Sequence, residues 1–168
     1  VIRLVSRKKF LKIKSFIFDV DGVLTNGNIL VTTKGEMHRE MNTKDGYALK
    51  RLIAHNFPIC IISGGTDEGV RIRLKLIGIK EVHLGVLNKF EYYQNFLNNH
   101  QIKPEEVIYM GDDLPDWEVM KDVGIAACPK DSVKEIKKIA HYISRKKGGE
   151  GCVREVIEKV LRIQKKWK

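Results

Sequence analysis

Five short apolar runs, at residues 15–18, 59–62, 82–84, 107–110 and 125–127, are each followed by Gly, Asp, Ser or Pro and then by a helix-like pattern. Runs this short are strand-length, and strands that are apolar on both sides must be covered by helices on both faces. Their regular alternation with helical segments is the pattern of a doubly wound parallel sheet, so the fold class is α/β. Candidate helices lie at 46–55, 68–77, 87–98, 116–122, 133–139 and 153–164. In the third, Leu87, Phe90, Phe96 and Leu97 approximate one apolar face, and Pro104 falls in the connection to the next strand. Residues 28–41, NILVTTKGEMHREM, break the rhythm and read as two strands meeting at Lys34-Gly35, a β-hairpin inserted after the first strand. Neither a repeat nor a second-domain boundary interrupts the 168 residues, so one unit spanning 1–168 is expected, with a tail at about 148–168.

Composition narrows the setting. Cys60, Cys128 and Cys152 are odd in number and widely spaced, and two sit in apolar stretches, which reads as buried free thiols in a reducing, cytoplasmic compartment. No apolar run approaches the roughly 18 residues of a spanning helix, and the opening VIRLVSRKKFLKIKS is too interrupted by Lys and Arg for a secretory core, so neither export nor membrane insertion is expected. The net charge of +10 comes from 31 Lys and Arg against 21 Asp and Glu. These charges are spread along the chain rather than grouped with aromatics, which speaks for a solvated surface that attracts small anions and against a nucleic-acid site. Only the segments 7–14 and 164–168 are dense in base.

Ligands of doubly wound folds bind at the carboxyl ends of the strands, and the residues there form a set. After the first strand comes Asp19-Val20-Asp21-Gly22-Val23-Leu24-Thr25. After the second comes Ser63-Gly64-Gly65, and after the fourth Gly111-Asp112-Asp113-Leu114-Pro115-Asp116, while Lys89 opens the helix after the third. Carboxylates converging on one sheet edge repel one another unless a cation neutralises them. Magnesium, which takes hard oxygen ligands and is commonly held by one or two carboxylates plus a substrate phosphate, suits such a site. Taken singly, Asp116 is as well explained as a helix cap, Ser63 as a turn residue and Lys89 as a solvated charge; their joint placement makes the case.

The array resembles the haloacid dehalogenase superfamily of phosphatases, whose motifs are DxDGxxT, a strand-end Ser or Thr, a Lys and an acidic GDDxxD run. All four occur in order from Asp19 to Asp116. The resemblance implies a Rossmann-type sheet with Asp19 as nucleophile and magnesium ligand. It implies that Asp21 gives its carbonyl to the metal and its side chain as general acid and then base, and that Asp112 is a further ligand. Ser63, Gly64 and Lys89 would bind phosphate, Asp113 would hold a metal-bound water, and Asp116 would orient Lys89. Neither gap between motifs can hold a cap domain, which places the chain with the capless members.

Within that branch, Asn42-Thr43-Lys44-Asp45-Gly46-Tyr47, the run IISGG and Gly148-Gly149-Glu150-Gly151-Cys152-Val153-Arg154-Glu155 look like the 3-deoxy-D-manno-octulosonate 8-phosphate (KDO 8-phosphate) phosphatases. That resemblance implies a homotetramer built by the hairpins, a small anionic sugar-phosphate substrate, a place in lipopolysaccharide precursor synthesis, and contributions from Lys44, Asp45 and Arg154 to the substrate pocket. For Arg154, a charge on a helix surface explains the residue equally well. Thr66 and Glu150 stand where members commonly carry Arg. A related branch acting on nine-carbon acids such as KDN 9-phosphate tends to place Glu where Gly65 stands. The alternatives are therefore a nine-carbon sugar-acid phosphatase or a non-catalytic oligomerisation domain; the clustered carboxylates argue against the latter.

Overall fold

The computed structural model describes residues 5–167; residues 1–4 and 168, the outer ends of the unit expected over 1–168, lie outside the described residues. The elements begin with a short helix α1 (Arg7–Lys12), strand β1 (Ser15–Phe18), hairpin strands β2 (Leu30–Val31) and β3 (Met37–His38), and helix α2 (Thr43–Ala54). They continue with β4 (Ile59–Ile62), α3 (Glu68–Ile77), β5 (Glu81–His83), α4 (Lys89–His100) and β6 (Val107–Met110). The chain then runs through α5 (Trp117–Asp122), β7 (Ile125–Cys128), α6 (Lys134–Ile139), β8 (Tyr142–Ile143) and α7 (Cys152–Ile163).

Six strands form one parallel sheet in the order β5-β4-β1-β6-β7-β8, with β1 central: Phe16 pairs with Ile59 on one side and Ile108 on the other. Alternate side chains feed two cores. Phe16, Phe18, Ile59, Ile61, Ile108 and Met110 join residues of α2, α3 and α7. Ile17, Cys60, Ile62 and Tyr109 face the other way, to Tyr93 and Phe96 of α4, Val119 and Met120 of α5 and Ile136 of α6. After β1 the chain moves out to β5 and returns to β6, so the strand order reverses between β1 and β6. That reversal opens a crevice at their carboxyl ends.

The expected α/β sheet is present, with two additions and several shifts. Helix α1 and edge strand β8 were not foreseen; β8 pairs only through two residues and leaves no periodic signal. Helix α2 begins earlier than the expected 46 because the Asn42 side chain accepts from the Lys44 N–H at 2.9 Å. In α4 the buried face is Lys89, Tyr93 and Phe96, and Leu87, expected on the apolar face, lies before the helix and is fully exposed. The first turn starts only at Lys89 because Asn88 caps it, accepting from the Glu91 N–H at 3.4 Å. The hairpin forms, but with two residues paired per strand, around Gly35 at φ +78°.

Candidate active site

Four buried residues end each of β1, β4 and β6, which fixes where Asp19, Ser63 and Gly111 emerge. Asp19 is 6% exposed. One of its oxygens accepts from the Val20 N–H at 2.6 Å, and the other lies 3.0 Å from the Lys89 ammonium. The following loop is pinned by Thr25, whose side-chain oxygen accepts from the N–H groups of Gly22 (3.4 Å) and Gly27 (3.2 Å). Gly22 has φ +82°, and a Cβ there would lie 2.0 Å from an Asp112 carboxylate oxygen. Both facts restrict the position to glycine, because the loop must turn and admit Asp112 at once.

Lys89 enters from the start of α4 and is buried between two carboxylates. Its Nζ donates to Asp116 Oδ1 at 2.7 Å and pairs with Asp19. Burial works to lower its pKa, but Asp19 and Asp116 outweigh it and the ammonium is held above its ordinary value. Asp116 is spent on structure. Oδ1 also accepts from the Tyr109 hydroxyl at 2.5 Å, and Oδ2 accepts from the Asp112 N–H at 3.0 Å. It therefore sets the positions of Lys89 and of the Asp112 loop together. Asp113 is exposed and accepts from the Leu114 N–H at 2.7 Å.

Carboxylate oxygens of Asp19, Asp112 and Asp116 lie within 4.8 Å of one another. Burial first, and then Asp116, push Asp19 up to about 8 against the pull of Lys89; burial and Asp116 push Asp112 up to about 7. A divalent cation fits this donor set, because it supplies the positive charge that crowded carboxylates need in order to be ionised together. With Asp116 held by Lys89, Tyr109 and the Asp112 N–H, Asp19 and Asp112 are the side chains that would hold it.

Ser63 is 2% exposed, and its Oγ accepts from the Gly65 N–H at 3.2 Å, which leaves its hydroxyl proton to donate. Helix α3 begins only at Glu68, capped by Asp67, so Gly64 and Gly65 belong to the loop before it and not to the helix end. Asp19, Asp21, Ser63, Gly64, Lys89, Asp112, Asp113 and Asp116 all line one cleft of about 530 Å³.

Residues 78–157 match the haloacid dehalogenase-like hydrolases. A 3-deoxy-D-manno-octulosonate 8-phosphate phosphatase from Yersinia pestis is 38% identical over 154 residues, 92% of this chain and 82% of its own length. The chain belongs to the KDO 8-phosphate phosphatase family. The crystal structure of the Y. pestis enzyme superposes with a TM-score of 0.93 at 36% identity, covering 95% of this chain and 86% of that one. A second member, from Moraxella catarrhalis, was crystallised in complex with magnesium, phosphate and KDO; it has a TM-score of 0.91 at 30% identity and covers 95% of this chain and 91% of that one.

Three residues that the family resemblance placed near the substrate stand elsewhere in the single chain. Lys44 and Arg154 line a separate cleft of about 630 Å³ along α7, and neither lines the aspartate cleft. Asp45 is 1% exposed and accepts from the Arg154 N–H at 2.7 Å, tying α2 to the first turn of α7. The Gly148-Gly149 pair supports the loop after Asp19 directly. A Cβ on Gly148 would lie 2.0 Å from the Gly22 carbonyl oxygen, and the Gly149 N–H donates to Val23 O at 3.0 Å.

Sequence reasoning missed Tyr109, Arg39 and Asp67. Tyr109 carried a signal, since a phenol inside a buried strand needs a polar partner. Arg39 follows the hairpin and its side chain is 5% exposed. Its Nε and Nη2 donate to the two oxygens of Asp21 at 2.6 and 3.0 Å, and Nη1 donates to Asp67 Oδ2 at 3.4 Å. No motif marks it.

Proposed function

We propose that this chain is a magnesium-dependent phosphatase that hydrolyses KDO 8-phosphate to KDO and phosphate in the cytoplasm, through an aspartyl-phosphate on Asp19. The observation that carries the reading is the buried Asp19 carboxylate, just past the end of the central strand, with Lys89 on one oxygen and an Asp112 oxygen within 4.8 Å. Asp19, Asp112 and the Asp21 carbonyl would hold the magnesium ion, which when bound keeps the carboxylates ionised and takes up charge from the phosphate oxygens.

Asp19 attacks phosphorus and forms an acyl phosphate while the bond to the sugar oxygen breaks. Asp21 donates a proton to that leaving oxygen, then takes one from the water that attacks the acyl phosphate, regenerating Asp19 and releasing phosphate. Lys89 and the Ser63 hydroxyl hold the phosphoryl oxygens, and Asp116 keeps Lys89 aimed by holding it from behind. A tetramer built on the hairpins accounts for an uncapped cleft, with Lys44 and Arg154 available to a neighbouring subunit's substrate.

Phosphate release from KDO 8-phosphate and KDN 9-phosphate, measured side by side with magnesium and with chelator, tests the reading. Metal-dependent preference for the eight-carbon compound is expected. A nine-carbon preference keeps the chemistry and replaces the substrate, and turnover that survives chelation overturns the metal-dependent scheme.

A further inference from the structure

Within one chain the cleft is short of positive charge for the substrate proposed above. Its lining holds five aspartates, and Lys89, its single lysine or arginine, is already engaged by Asp19 and Asp116. A phosphorylated sugar acid brings a carboxylate besides its phosphate, and a bound cation and Lys89 serve only the phosphate end.

Arg39 stands directly behind the cleft wall. Its Nη2 lies 3.1 Å from where a Cβ on Gly65 would be, and Gly65 lines the cleft, so the missing side chain leaves the guanidinium a path to the substrate without backbone movement. Both oxygens of Asp21 accept from Arg39. In the mechanism above Asp21 must turn an oxygen to the leaving group, which the two-pronged pairing prevents. The third nitrogen is held by Asp67, itself fixed because its other oxygen accepts from the Gly69 N–H at 2.8 Å as the cap of α3. Asp67 can therefore keep its hold while Asp21 is exchanged for another carboxylate.

We propose that Arg39 is a specificity-determining residue: its guanidinium leaves Asp21 for the substrate carboxylate and so frees Asp21 for proton transfer when an acidic sugar phosphate is bound. A carboxylate is the ligand the fork geometry suits, since it already grips one. The inference rests on the phosphatase reading and adds how the acid is selected.

The test compares kcat/KM for KDO 8-phosphate with that for arabinose 5-phosphate, which has no carboxylate, in the parent enzyme, Arg39→Ala and Arg39→Lys. The preference for the acid should fall about 10–100-fold in Arg39→Ala, mainly through KM, with part retained in Arg39→Lys. Equal losses on both substrates would reduce Arg39 to a brace for the hairpin, and an unchanged ratio would likewise overturn the proposal. If the parent enzyme ignores KDO 8-phosphate, the substrate reading fails separately. The pair 6-phosphogluconate and glucose 6-phosphate then asks the same question of Arg39, and an unaltered ratio there overturns it.

Discussion

Lys89 holds the electrostatics of the cleft together, because it is the buried cation between two buried carboxylates. Lys89→Met should lower phosphate release at least about 10²-fold, measured with saturating magnesium, while circular dichroism shows a folded chain. Asp45 makes the opposite case, a buried carboxylate that forms no ion pair among the described residues, the Arg154 charge acting on it only weakly. Burial pushes its pKa up to about 6 despite the Arg154 N–H, and its Oδ2 has no hydrogen-bond partner. The folded state therefore binds the proton more tightly than the unfolded chain, so this group's contribution to stability is complete below about pH 4 and is lost as pH rises through about 6. Asp45→Asn keeps the acceptor and removes the charge. It should raise the unfolding free energy at pH 8 by roughly 1–2 kcal/mol and flatten its decline between pH 4 and 7, read by urea unfolding at each pH.

At the scale of elements, the hairpin is too small to stand alone: two paired residues per strand lie below what an isolated ribbon needs in water. It also exposes Ile29, Leu30, Val31 and Met37, an apolar surface suited to other copies of the chain. Leu30→Glu should shift the proposed tetramer to smaller species in sedimentation velocity and leave the monomer's circular dichroism intact; an unchanged sedimentation coefficient would overturn the role proposed for the hairpin. The elements also show where the sequence was readable. Strands β1, β4 and β6 and helix α3 were legible because each couples an apolar run to a punctuating residue, and Asp19, Ser63 and the 112–116 run follow from strand ends, with Lys89 at the opening of a helix. Arg39 was not legible, since its importance depends on the hairpin folding back over Gly65. Nor was the role of Gly148, which lies 126 positions from Gly22 and is held beside it by bonds that no motif marks: its N–H donates to Asp131 Oδ1 at 3.0 Å, and the next residue's carbonyl accepts from Asn42 Nδ2 at 3.1 Å.

For the whole molecule, a cation held as proposed by Asp19 and Asp112 would link metal to stability. At 100 times its dissociation constant, magnesium should add about 2.7 kcal/mol, a rise of roughly 5–10 °C in melting temperature for a chain of this size, and Asp112→Asn should abolish most of that rise. A calorimetric scan with magnesium and with chelator reads it. The +10 net charge favours capture of a small anion, so kcat/KM for the sugar-acid phosphate should fall as ionic strength rises while kcat holds. The proposed function turns on one covalent step, and trapping that step is the most direct measurement: rapid acid quench of the enzyme turning over ³²P-labelled KDO 8-phosphate, followed by mapping of the labelled peptide. The expected result is a single acyl phosphate on the peptide carrying Asp19, absent in Asp19→Asn, which folds and does not turn over. Label on another residue, or brisk turnover by Asp19→Asn, would contradict it.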